Sequence, residues 1–136
     1  MSKGSCLCGA VEYEIDPSGG SFQYCHCTRC RKTSGSAHAA NLIVPSAQFH
    51  WLRGQALVRQ YTHASAKRFC NAFCTECGSK LPWRSRDGCW MIVTAGTLDD
   101  DPGLRPVRSI FASSGAPWYQ EPATMPAFET LPPRGD

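Results

Sequence analysis

Seven of the nine cysteines in this chain fall into three tight groups, Cys6/Cys8, Cys25/Cys27/Cys30 and Cys74/Cys77, separated by long cysteine-poor stretches. This spacing limits the fold more than any other feature, because thiols two or three residues apart are placed to share one ion. A secreted disulfide framework scatters its cysteines and pairs them evenly, whereas here the total is odd. The first residues, MSKGSCLCGAVEYEI, lack the apolar core of a secretory signal and carry Glu12 and Glu14, which also argues against a mitochondrial presequence. A cytoplasmic metal protein is therefore expected, and no apolar run is long enough to cross a membrane.

The groups differ in what they can build. In Cys6-Leu7-Cys8 the thiols stand two residues apart, which on an extended backbone puts both on one face. In Cys74-Thr75-Glu76-Cys77-Gly78 the pair sits in a tight turn, where Gly78 can take the positive φ that aims backbone amides at the sulfurs. Joined, Cys6, Cys8, Cys74 and Cys77 make a closed tetrahedral zinc site that pins two remote strands together. Cys25, Cys27 and Cys30 supply three thiols and leave one position free for a substrate or water. Two other arrangements remain open for these three: a fourth protein ligand, or no metal at all. His26 is the nearest fourth donor, but alternation puts it on the opposite face from its neighbours, as a packing or supporting residue. Cys70 and Cys89 have no partner at ligand spacing and read as small buried hydrophobes. His38, His50 and His63 read as ordinary, partly buried histidines.

A length of 136 residues suits one domain, 1–136, with a core over about 2–112 and a proline-rich strap over 113–136. Val11 to Ile15 alternates apolar and polar residues, as a half-buried strand does. Similar short segments recur at Phe22 to Cys25, Ala37 to Val44, Phe49 to Leu52, Leu57 to Tyr61, Lys67 to Phe73, Leu81 to Arg84, Trp90 to Thr94 and Val107 to Phe111. The fold class is thus mainly β and largely antiparallel, with one or two short helical turns, at Thr28 to Ser34 and Pro45 to Ala47. The formal charge of +3 is no sign of nucleic-acid binding: seven thiolates holding two divalent ions cancel it, and the basic residues are dispersed.

The ordered set GSCLCGAVEY, YCHCTRCRKTSGSA and FCTECGSKL, followed by Ser113-Ser114-Gly115-Ala116-Pro117-Trp118, resembles the glutathione-dependent formaldehyde-activating enzyme family, whose domain is shared with centromere protein V. The resemblance implies a zinc-bound antiparallel β fold of the Mss4-like, or β-tent, type. It implies two Zn²⁺ ions, a structural one on Cys6, Cys8, Cys74 and Cys77 and a catalytic one on Cys25, Cys27 and Cys30. The implied reaction joins glutathione, as co-substrate, to formaldehyde to give S-hydroxymethylglutathione, a carbon–sulfur lyase reaction run in the synthetic direction. Ser34, Gly35, Ser36 and Trp118 would line or close the pocket by the same resemblance.

The chemistry suits a thiol. Zinc held by three thiolates carries a net charge of about −1 and polarises a carbonyl weakly, but it can hold an entering thiol as an oriented thiolate. Arg29, Arg31 and Lys32 could offset the added charge or meet the carboxylates of glutathione; equally, they could be solvated charges on a helical turn. The partners expected are a small-molecule thiol and a small electrophile, with no membrane and no nucleic acid. Two other functions compete: a non-catalytic zinc module that binds a protein or nucleic acid, and a glutathione-linked lyase acting on a different adduct.

Overall fold

The computed structural model describes residues 1–134; Gly135 and Asp136, the end of the expected strap, lie outside the described residues. Along the chain run strands β1 (Ser2–Ser5), β2 (Glu12–Ile15) and β3 (Ser21–Cys25), helix α1 (Thr28–Ser34), and strands β4 (Ala39–Pro45), β5 (Phe49–Arg53), β6 (Val58–Thr62), β7 (Cys70–Cys74), β8 (Lys80–Leu81), β9 (Trp83–Arg84), β10 (Trp90–Thr94) and β11 (Ser109–Ile110). They form three sheets, ordered β1-β2-β5, β11-β3-β4-β10-β9 and β6-β7-β8. Every pairing is antiparallel except β11 with β3, which run parallel. The fold is mainly β, as expected.

The five-stranded sheet is central because its middle strands are apolar on both faces. Leu42 and Val44 of β4 and Met91 and Val93 of β10 pack with Tyr13, Ile15 and Phe49 of the first sheet. The alternating residues, Ile43 and Ile92, face the other way onto Val11, Cys70, Ala72, Leu81 and Trp83. A strand buried on both sides reads as a continuous apolar run, which is how Trp90-Met91-Ile92-Val93 reads. The outer sheet keeps strict alternation: Val11, Tyr13 and Ile15 are fully buried, while Glu12 and Glu14 are not.

Three sequence expectations change. Ser2–Ser5 is a strand that its composition does not announce; it exists because β2 offers it four antiparallel partners. The segment Leu81 to Arg84 is not one strand. Pro82 lacks an N–H, so the ladder breaks there, and the chain passes from β7 in the third sheet to β10 in the central one. The turn at Pro45 to Ala47 is a 3₁₀ turn over Ser46–Gln48. The helix Thr28–Ser34 is found as expected and ends at Gly35 with φ 63°.

The tail from Pro117 onward has little regular structure beyond a 3₁₀ turn at Pro122–Thr124, and most of it is exposed. It is attached at its start, where Ala116 is buried and Tyr119 meets His26 and His38. No helix among the described residues is long and apolar enough to cross a membrane.

Gly54 marks the tightest backbone approach that bears on stability: it holds φ 73°, and a Cβ there would collide with the carbonyl oxygen of Ala10. Gly19 has a similar φ of 72° but open space around it. Gly54→Ala is expected to destabilise the protein by about 2–4 kcal/mol, the sum of left-handed strain and overpacking. Gly19→Ala should cost only about 1–2 kcal/mol. Denaturant unfolding of the two variants measures the difference.

Candidate metal centres

The first centre is built from two turns brought face to face. After β1 the chain turns through Cys6–Gly9, closed by the Gly9 N–H donating to the Cys6 carbonyl at 2.9 Å with Gly9 at φ 75°. The expectation of an extended Cys6-Leu7-Cys8 is thus corrected: the pair converges through a turn. That turn leaves Cys6 buried and Cys8 exposed yet brings their sulfurs to 3.5 Å. Opposite it, the β7–β8 connection forms the expected knuckle. The Gly78 N–H donates to the Cys74 carbonyl at 2.8 Å, the Cys74 N–H donates to the Ser79 carbonyl at 2.9 Å, and Gly78 has φ 77°. Ser79 ties the turns together: its hydroxyl accepts from the Leu7 N–H at 2.9 Å and lies 3.3 Å from Cys77 Sγ.

All four sulfurs, of Cys6, Cys8, Cys74 and Cys77, lie within 4.8 Å of one another, and Cys8 and Cys74 are 4.0 Å apart. Zinc–sulfur bonds of about 2.3 Å at tetrahedral angles place sulfurs about 3.8 Å apart, so this donor set fits a zinc ion. None of the nine cysteines is in a disulfide. Crowding splits the thiols electrostatically. The hydroxyl and backbone N–H of Ser79 pull Cys77 down to about 6. Although the backbone at Ala10 favours its thiolate, the neighbouring sulfurs push Cys8 up to about 11. A divalent cation removes that conflict by favouring every thiolate at once.

The second centre lies where β3 passes into α1. Cys25 ends β3, Cys27 is the N-cap of α1, with its sulfur accepting from the Cys30 N–H at 3.4 Å, and Cys30 is the buried residue of the helix. Their three sulfurs also lie within 4.8 Å of one another. Among the described residues no fourth His, Cys, Asp or Glu donor joins that group. The neighbouring Cys30 thiol holds Cys25 down at about 6, and the same closeness of Cys25, with burial, pushes Cys30 well above the usual thiol range.

His26 is buried but turned away from the thiols. Its ring sits 5.0 Å from that of His38 and 5.4 Å from that of Tyr119, and His38 stacks on Tyr24 at 4.2 Å. It packs against the strap rather than completing the thiol group. The three basic residues are dispersed around α1. Arg31 donates from Nη1 to the Ser114 carbonyl at 3.0 Å and so ties the helix to the start of the strap, Arg29 is half-buried, and Lys32 is exposed. Ser34 turns its hydroxyl back to the Cys30 carbonyl at 2.7 Å, and Gly35 and Ser36 are exposed. Trp118 is 65% exposed, so Tyr119 beside it, not Trp118, makes the inward contact. Cys70 is buried as expected, but Cys89 and His50 are exposed, because Cys89 lies in the turn before β10 and His50 on the outer face of β5. A groove of about 410 Å³ lined by Phe49, Trp51, Gln60 and Arg84, among others, contains none of the nine cysteines.

Sequence reasoning missed Lys80, which stands between α1 and Phe69. It follows the knuckle closely in sequence, yet its side chain meets a helix whose cysteines lie far upstream, and no local pattern carries that signal.

The profile of the family described as "Glutathione-dependent formaldehyde-activating enzyme" matches residues 1–114. This chain belongs to that family. All seven clustered cysteines fall within the matched region, and the strap from Gly115 onward lies beyond it. A curated protein of Halomonas elongata, whose name provisionally assigns it to glutathione-dependent formaldehyde activation, is 34% identical over 90 residues. That match takes in 60% of this chain and 54% of the relative, so the shared region spans about half the relative's length. A crystal structure of a Rhodobacter sphaeroides protein from a structural genomics effort shares the fold, with a TM-score of 0.62 at 24% identity, over 79% of this chain and 98% of that one.

The family match stops where the strap begins, and Arg31 holds that junction. Arg31→Met is expected to raise the rate of proteolytic cleavage between Pro117 and Pro133 several-fold while leaving the unfolding midpoint of the core nearly unchanged. Limited proteolysis followed by mass spectrometry reads both the rate and the site.

Proposed function

We propose that the chain holds zinc at both centres and uses the one at Cys25, Cys27 and Cys30 to add the thiol of glutathione, or a related thiol, to formaldehyde or another small electrophile. The observation that carries this reading is the convergence of three thiols with no fourth protein donor among the described residues. Family membership supports the choice of glutathione and formaldehyde.

Zinc bound there would supply a position at which an entering thiol loses its proton near neutral pH and is held as a thiolate. The chain's own part is to fix that position. The end of β3 holds Cys25, while the first turn of α1 holds Cys27 and Cys30, so the three ligands hang from two rigid elements rather than a loop. Arg29 and Lys32 supply positive charge beside the site for the carboxylates of glutathione. The reaction is a balanced addition: a carbon–sulfur bond forms, the carbonyl π pair moves to oxygen, and the thiol proton ends on that oxygen. No electron is lost or gained. The reverse cleaves a carbon–sulfur bond, which makes the enzyme a carbon–sulfur lyase in formal class.

The closed centre acts at a distance from this chemistry, by pinning the turn after β1 to the β7–β8 knuckle. Native mass spectrometry is expected to find two zinc ions per chain and one in Cys27→Ala. Cys74→Ser should lower the unfolding midpoint by about 10 °C or more, because a structural zinc contributes folding energy directly. Cys27→Ala should cost far less.

Because glutathione and formaldehyde combine spontaneously, activity is best read by NMR exchange at equilibrium. The zinc-loaded protein is expected to accelerate exchange above the spontaneous rate, and Cys27→Ala should return it to that rate. An unaltered exchange rate with the loaded protein would remove the formaldehyde assignment.

A further inference from the structure

Beneath α1 lies a half-buried lysine with no carboxylate partner among the described residues. Lys80 begins β8, and its Nζ donates to Thr33 Oγ1 at 2.8 Å and stands 5.8 Å from the centroid of the Phe69 ring. Thr33 lies on α1 and donates the same hydroxyl to the Arg29 carbonyl at 2.8 Å. Phe69 packs against the cluster of Cys25, Cys30 and Ala39. The ammonium is thus held between the helix and the aromatic ring that border the three thiols. The ion pairs among the described residues are Arg53 with Glu12 and Arg105 with Asp101, and Lys80 takes part in neither.

An ammonium drawn out of water without a counter-ion is unfavourable. Burial lowers the Lys80 ammonium from its ordinary value, and the charges of Cys30, Cys27 and Cys25, in that order, act against the shift. The strand that carries the lysine is fixed on both sides. Its backbone is paired with Phe73 of β7, and its carbonyl accepts from the Thr94 hydroxyl at 3.3 Å. It also follows directly on Cys77-Gly78-Ser79, so the closed centre sets where the lysine strand begins.

We propose that Lys80 is a positioning residue of the three-thiol centre, the built-in counter-charge that lets a metal already holding Cys25, Cys27 and Cys30 accept a fourth, anionic sulfur. The proposal rests on the reading above that these thiols hold a metal with one free position, and it narrows the ligand class at that position. A metal on three thiolates has a net charge of about −1, and a fourth thiolate makes it about −2. One fixed ammonium nearby offsets that added charge, and the offset is greatest where water is excluded. A neutral ligand adds no charge and gains nothing from it. Lys80 therefore acts as a selector for thiolate over neutral donors, working through the charge at the metal rather than by touching the reacting carbon.

The test uses the full chain loaded with cobalt, whose visible and charge-transfer bands report what enters the fourth position. 2-Mercaptoethanol is the anionic probe and imidazole the neutral one. Lys80→Met is expected to weaken 2-mercaptoethanol binding about tenfold and leave imidazole binding unchanged, while Lys80→Arg restores most of the thiol affinity. Lys80→Gln, which can still donate to Thr33, carries the same comparison should the methionine variant fail to load metal. An equal loss for both probes would make Lys80 merely structural, and no loss for either would remove its role; both results overturn the proposal while leaving the open site intact. A wild-type cobalt protein that takes up neither probe would overturn the open-site reading itself, and the proposal with it.

Discussion

The contact between the Cys6–Gly9 turn and the β7–β8 knuckle is where the two ends of the fold meet. The first sheet begins at β1 and the third sheet closes at β8, and Val11 beside β2 and Trp51 of β5 pack in one cluster with Cys70, Ala72 and Leu81 from the third. Four sulfurs within 4.8 Å of one another are an unfavourable grouping unless a cation binds them, since each thiolate raises the cost of the next. The protein organises that grouping with ordinary hydrogen bonds: Ser79 receives the Leu7 N–H, and both turns close around positive-φ glycines. The turn chemistry is therefore in place for the ion, and the ion in turn would make the turn–turn contact favourable.

Everything at the three-thiol centre hangs from the central sheet. Because β4 and β10 are apolar on both faces, that sheet is clamped between the other two, and its end at Cys25 is a rigid place to start a helix. The Cys27 N-cap and the left-handed Gly35 then confine α1 to two turns, short enough to lie over the sheet end with Cys30 pointing inward. Alternation along β3 does the rest. Cys25 and His26 face opposite ways, so the thiols lie on one side, while the His26, His38, Tyr24 and Tyr119 rings gather with the strap on the other.

The positive charge around the centre is divided by function. Arg31 is engaged by the strap through the Ser114 carbonyl, Lys32 is exposed, and Lys80 reaches the helix at Thr33 from β8. The closed centre and the open one are consequently linked by a short run of backbone, Cys77 to Lys80, in which metal-ligating geometry at one end sets the position of a cation at the other. Under the proposed roles, ions at both thiol groups would divide the work: the first would hold still the parts that tune the second.

Cysteine spacing was enough to sort the thiols into a group of four and a group of three, because ligand spacing is a local property that survives whatever the chain does between. Apolar patterning was likewise enough for most strands, with Val11 to Ile15 legible from its alternation and Trp90 to Thr94 from its continuous apolar run. Only the tertiary structure decided the features that depend on partners. Ser2–Ser5 became a strand because β2 was there to pair with it, and β11 joined β3 in parallel, which no residue preference encodes. The Cys6–Cys8 turn, the crossing at Pro82, the exposure of Cys89 and the turning of Trp118 to solvent all follow from which surfaces meet. Lys80 is the clearest case. Its residue type is unremarkable in sequence, and it acquires meaning only because folding carries it to a helix and an aromatic ring that flank three thiols, where Coulomb interactions depend on distance in space and not along the chain.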